Sequence, residues 1–144
     1  MGESTNNTEF FQRFAAELGN LTVIRHFVRE KAEILGVDPI LVNDIVLAVD
    51  EAVTNIIIHG YAGQPGDIEI RVTREADALV VQLEDEAPAF DPQTVTKPDL
   101  SLSLEERPLG GMGVFLMNEL MDQVRHSFTS QGRNKLTLIK DGVL

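Results

Sequence analysis

The sequence predicts an α+β fold in which helices cover one face of a mostly antiparallel sheet. Three observations point to it. Apolar residues recur at helical spacing over 21–35 and again over 42–56. Ile68, Ile70 and Val72 alternate with Glu69, Arg71 and Thr73, the pattern of a half-buried strand. The order is helix, helix, two strands, a long loop, a helix and two more strands, and only short turns separate the strands of each pair.

Each element has its own local signals. Residues 1–8 are polar and are expected to form a flexible N-terminus ahead of one domain spanning 9–144. Phe10, Arg13 and Phe14 lie in a short apolar-rich stretch that could open a strand. Asn20 is read as an N-cap. After it Leu21, Ile24, Phe27, Val28, Ala32 and Leu35 mark a helix that ends at Gly36. Asp38 and Pro39 supply a cap and a first-turn proline for the second helix. It runs through Val42, Ile45, Val46, Val49, Ala52, Val53 and Ile56 to a stop at Gly60. Residues 63–67 form a turn cluster before the first strand of the pair, and residues 79–83 form the second, which delivers Asp85 at its end.

Residues 86–109 show no periodicity and hold four of the six prolines, which suggests a mobile functional loop. Gly113 leads into a third helix carrying Val114, Leu116, Met117, Leu120 and Met121. Residues 124–128 and 135–139 flank the turn Gln131-Gly132-Arg133-Asn134 and read as a closing hairpin. Phe10, Phe14, Phe27, Phe115 and Phe128 are assigned to the core, and His26 and His126 to structural roles.

Composition narrows the function. A chain of 144 residues is long enough for one core of its own. A net charge of −11 argues against unassisted binding to nucleic acid or to an anionic membrane. No apolar run reaches transmembrane length and no signal-peptide pattern opens the chain. The absence of cysteine excludes disulfides and zinc–thiolate sites. Cytoplasm is the default compartment.

Three segments carry chemistry. On the second helix Asp44, Ala48, Glu51, Asn55 and His59 step by three or four and share a face. An amide oxygen at Asn55 suits magnesium, which prefers oxygen ligands and keeps several waters, and Glu51 is free to act as a general base. The competing reading is an amphipathic helix with a solvated polar edge. Asp85, at a strand end, is placed to accept from an exocyclic amine such as that of adenine, or is a turn aspartate. Ala87, Pro88, Ala89 and Phe90 beside it form either an adenine-sized floor or a loop tucked onto the core. Gly110, Gly111, Met112 and Gly113, followed by Val114, precede a helix. Glycines admit close approach of a ligand and helix N-terminal N–H groups face an anion, although a flexible hinge explains them as well. No Lys and Ser or Thr follow, so this is not a P-loop.

In this order, Glu51 and Asn55, Asp85, and Gly110-Gly111-Met112-Gly113 resemble the N, G1 and G2 boxes of the gyrase, Hsp90, histidine-kinase and MutL (GHKL) ATPase superfamily. Within it, Glu51-Ala52-Val53-Thr54-Asn55, His59-Gly60-Tyr61 and Pro88-Ala89-Phe90-Asp91-Pro92 are most similar to the small anti-sigma-factor serine kinases. The likeness spans roughly residues 9–140. It implies a two-layer α/β sandwich of the Bergerat type, with a mixed, mostly antiparallel sheet, that binds ATP and Mg2+. By matching positions, Asn55 binds magnesium, Glu51 is the general base and Asp85 takes the adenine amine. The resemblance makes Ala89, Phe90, Gly110, Gly111, Met112, Gly113 and Val114 nucleotide-binding and residues 93–109 the lid. Arg107, in that lid, contacts a γ-phosphate or an acidic partner, or is a solvent-exposed arginine. His59 touches the phosphates or magnesium waters, or caps its helix. Ala87 and Ala89 stand where the superfamily usually has glycine.

The resemblance further implies a serine/threonine protein kinase that phosphorylates an anti-sigma-factor antagonist and, when free of it, sequesters a sigma factor, commonly as a homodimer. A second reading is a non-catalytic ATP/ADP-binding module that controls a protein partner, motivated by Ala87 and Ala89. The catalytic part of a histidine kinase fits poorly, because no dimerisation helix pair with a phospho-acceptor histidine fits into so short an N-terminal region, although a separate chain could supply one.

Overall fold

The computed structural model describes residues 9–88 and 117–143. Within them the chain runs β1 (Glu9–Ala15), α1 (Leu21–Ile34), α2 (Pro39–Asn55), β2 (Asp67–Glu75), β3 (Ala78–Asp85), β4 (Gln123–Phe128) and β5 (Asn134–Lys140). Residues 117–120 are helical and lie within the third helix expected from sequence, the start of which falls outside the described residues.

The strands form one sheet of order β1-β2-β3-β5-β4, and every described pairing is antiparallel. The stretch around Phe10 and Phe14 is the edge strand β1, one element more than the sequence order counted. Register converts the period-2 pattern into rows across the sheet. Ile70 faces Leu83, which faces Leu136, and Val72 faces Val81, which faces Leu138. The row nearest one end runs Phe14, Ile68, Asp85, Asn134, Phe128. The apolar rows join Ile24, Phe27 and Val28 of α1 and Val42, Ile45, Val49, Ala52 and Val53 of α2 in a single core, so both helices lie on one face. Phe14 meets Phe27 edge-on at 5.6 Å between ring centres.

The helix ends follow the sequence with one exception. Asp38 caps α2 by accepting from the Ile40 N–H at 2.9 Å, with Pro39 in the first turn. Gly36 takes a φ of +97°, and the pair of bonds from Gly36 N to Glu33 O and from Val37 N to Ala32 O closes α1 in a Schellman motif. Asn20 does not cap α1. Its Nδ2 donates instead to Ala15 O at 2.9 Å, because a 3-10 turn at Leu18–Asn20 already has the chain in helical geometry there.

α2 does not continue regularly to Gly60. It ends at Asn55, and Ile56–Gly60 form a π-helical turn closed by Tyr61 N to Ile56 O at 2.8 Å. The wider turn brings Tyr61 into the core. Its hydroxyl donates to Asp67 O at 2.6 Å and accepts from the Glu86 N–H at 3.0 Å. Gly66 is required beside it, since a Cβ at that position would lie 2.1 Å from the Tyr61 ring.

Phe128 departs from its expected place in the core. It is 57% exposed, because β4 is the edge strand and lies beyond the apolar rows that the helices cover. Its ring meets only that of His126, edge-on at 5.1 Å, among the described aromatic contacts. Phe115 lies outside the described residues.

Candidate functional site

Glu51 and Asn55 are one turn apart on α2 and share a face. Asn55 is 1% exposed, and neither its Oδ1 nor its Nδ2 has a hydrogen-bond partner among the described residues. A buried polar group left in that state costs about 1–3 kcal/mol, and such groups are rare in native proteins. A merely solvated polar edge therefore does not describe this face at Asn55. Elsewhere the face is mixed: Ala48 is buried, Asp44 and Glu51 are half-buried, and His59 is exposed on the π turn. Burial pushes the Glu51 carboxyl above its usual range, helped by the neighbouring Asp50 carboxylate and opposed by Arg25. Arg25 itself is held by Asp50 at 2.6 Å. A raised carboxyl pKa is what a proton acceptor working near neutral pH needs.

Asp85 closes β3 at 3% exposure, rather than sitting in a turn. Its Oδ1 accepts from the Ala87 N–H at 2.9 Å and from Asn134 Nδ2 at 2.8 Å. Burial raises its pKa, although these two bonds and the Arg133 and His126 charges act against the shift. Asn134 was read from sequence as a turn residue. It is the first residue of β5, buried, and paired in register with Asp85. Its Nδ2 also donates to Ala87 O at 2.9 Å. The missed signal is parity: residue 134 has the inward phase of Leu136 and Leu138, and a polar side chain at an inward position needs a reason.

On the opposite face of the sheet, the Arg133 guanidinium lies 3.2 Å from Glu86, 3.5 Å from Glu84 and 3.8 Å from Glu69. Glu69 also pairs with Arg13 at 2.6 Å. The hairpin turn and the residue after Asp85 are thus tied from outside, while the Tyr61 hydroxyl holds the Glu86 N–H from inside. A short covalent path, Asn55 to Tyr61, and one hydrogen bond therefore link the α2 face to the Asp85 loop.

Ala89, Phe90, Arg107, Gly110, Gly111, Met112, Gly113 and Val114, and the 93–109 lid, lie outside the described residues. Of the predicted site, the described structure contains Glu51, Asn55, His59 and Asp85. Among the described residues no cluster of three or more His, Cys, Asp or Glu side chains could hold a metal ion. A magnesium site here would rest on the Asn55 oxygen plus phosphate and water, which is a usual arrangement for that ion. The free Asn55 Oδ1 fits it.

The model of the histidine kinase-like ATPase domain matches residues 14–140. The chain belongs to that family. It is 33% identical to the anti-sigma F factor of Clostridium acetobutylicum over 90% of this chain and 94% of that protein. It is 33% identical to the serine-protein kinase RsbW of Listeria monocytogenes and 32% identical to that of Bacillus cereus. Each of those matches covers 58% of this chain, and the chain spans only 55–57% of the length of the RsbW relatives. Among solved structures, the RsbU and RsbW domains of a Mycobacterium tuberculosis protein superpose with a TM-score of 0.63 at 20% identity, covering 94% of this chain and 32% of that one. The SiaB–SiaC complex of Pseudomonas aeruginosa gives 0.55 at 16% identity, covering 94% of this chain and 92% of that one. At such identities these likenesses bear on the fold, and they agree with an α+β sandwich of this family.

Proposed function

We propose that the chain is an ATP-dependent serine/threonine protein kinase acting as an anti-sigma regulatory factor, which phosphorylates an anti-sigma-factor antagonist in a partner-switching system. The observation that carries the reading is the buried, unpartnered Asn55 amide one turn from a half-buried Glu51 with a raised pKa. The names of the relatives, anti-sigma F factor and serine-protein kinase, support the same activity and partner class.

In the proposed reaction Glu51 accepts the proton of a serine or threonine hydroxyl. The hydroxyl oxygen bonds to the γ-phosphorus of ATP as the bond to the β,γ-bridging oxygen breaks, and ADP leaves. Asp85 holds the adenine amine. Asn55 is the magnesium ligand, and magnesium supplies charge neutralisation on the phosphates. His59, Ala89, Phe90, Arg107, Gly110, Gly111, Met112, Gly113 and Val114 complete the nucleotide site, with 93–109 as its lid and 9–144 as one domain. A sigma factor as second partner, a homodimer and a cytoplasmic location belong to the same reading. No helix among the described residues is long and apolar enough to cross a membrane.

Replacing Glu51 by Gln tests the assignment. Phosphate transfer from labelled ATP to the antagonist is expected to fall by 100-fold or more, on the order of a general base's contribution, while ATP affinity stays within about twofold. Undiminished transfer removes Glu51 from the role.

The non-catalytic module remains the second reading, since Ala87 replaces a usual glycine. Yet Ala87 is buried with its N–H and its carbonyl both bonded to the Asp85–Asn134 pair, so the loop accommodates its methyl group. Phosphate incorporation into the antagonist separates the two readings.

A further inference from the structure

Asn134 is a polar residue in the inward row of the sheet, and its amide orientation is fixed by chemistry. Nδ2 lies 2.8 Å from Asp85 Oδ1 and 2.9 Å from Ala87 O, both acceptors, so the nitrogen must face them. Oδ1 therefore points elsewhere, and it is buried without a hydrogen-bond partner among the described residues. At Asp85, the bonds from Asn134 and from Ala87 both fall on Oδ1, and Oδ2 has no hydrogen-bond partner among the described residues. The inward row thus carries two hydrogen-bond acceptors side by side on adjacent strands, Asp85 Oδ2 and Asn134 Oδ1, the second oriented by the bonds of its own amide nitrogen. Neither offers a donor while Asp85 is ionised.

A pair of fixed acceptors asks for a group with two donors. We infer that Asn134 is a second base-recognition residue, whose Oδ1 accepts one N–H of the exocyclic amine of a 6-aminopurine while Asp85 accepts the other. The inference rests on reading the site as a nucleotide site, and adds to it a residue on β5 and a requirement for both amine hydrogens. A purine with one N–H at that position satisfies Asp85 and leaves Asn134 Oδ1 orphaned. A 6-oxo purine sets an acceptor against acceptors, and a site with buried polar groups rejects an analogue that leaves them unpaired.

The test is calorimetric titration of the full chain with ATP, N6-methyl-ATP and inosine triphosphate, for the wild type and for Asn134→Leu, with thermal melting as a check on folding. The wild type is expected to bind N6-methyl-ATP about three- to tenfold more weakly than ATP, the value of one hydrogen bond. In Asn134→Leu, ATP is expected to weaken to the level of N6-methyl-ATP, so that the two bind alike. Inosine triphosphate stays disfavoured in both proteins, because Asp85 remains. Equal affinity of the wild type for ATP and N6-methyl-ATP overturns the inference without needing the variant. So does a preference for ATP that survives unchanged in Asn134→Leu. In either case rejection of inosine triphosphate keeps the Asp85 reading intact. Failure of the wild type to bind any of the three overturns the nucleotide site itself, and this inference with it.

Discussion

The buried polar side chains of this domain divide by how they are satisfied. Asp85 is bonded but carries a charge that burial disfavours; Asn55 is neutral but bonded to nothing among the described residues. The first has a measurable consequence. At acid pH both folded and unfolded Asp85 are protonated and its burial adds no charge penalty. As pH rises through the ordinary value of 3.8, the unfolded side chain ionises before the native one, whose pKa is raised. Stability is therefore lost through that window and stays reduced above the native pKa. Asp85→Asn removes this loss while its amide oxygen still accepts from Ala87 and Asn134. In urea unfolding across pH 3 to 7, the variant is expected to gain on the wild type as pH rises. A difference that does not change with pH refutes the assignment.

The joint between elements is Tyr61. It follows the π turn that ends the Asn55 helix, and its hydroxyl spans from the start of β2 to the residue after Asp85. Tyr61→Phe leaves the Glu86 N–H without this partner and is expected to cost about 1–3 kcal/mol in unfolding free energy. The same change is expected to weaken ATP binding, because the Asp85 loop loses a tether. Wild-type stability together with wild-type affinity contradicts the role. Gly66→Ala supplies an independent check: with a Cβ 2.1 Å from the Tyr61 ring, the ring must move, at a cost of about 1–3 kcal/mol.

Elements of this kind set the limit of what the sequence discloses. Strong periodicity made α1, α2, β2, β3 and the closing hairpin legible, and the Asp38–Pro39 and Gly36 signals placed their helix ends. The π turn was hidden because Ile56, Ile57 and Ile58 read equally well as regular helix, and it shows only in the Tyr61 N to Ile56 O bond that goes with a buried Tyr61. Asn134 was hidden for a similar reason. A Gly-Arg-Asn run reads locally as turn, and only the cross-strand register with Asp85 makes it an inward residue. Asn20 reads as a cap by residue type, whereas the preceding 3-10 turn diverts its side chain.

Over the whole molecule, the chain carries a net charge of −11, and the described sheet sets the polar pair Asp85 and Asn134 side by side in an inward row. Membership of the histidine kinase-like ATPase family agrees with a nucleotide as the ligand class, and the proposed function assigns that pair and the Glu51–Asn55 turn to it and its metal. The most direct measurement is calorimetric titration with ATP, with and without magnesium, on the wild type and on Asn55→Ala. Binding that strengthens with magnesium in the wild type and loses that dependence in Asn55→Ala is the predicted result. Absence of binding at millimolar ATP, or magnesium dependence retained by Asn55→Ala, contradicts the account.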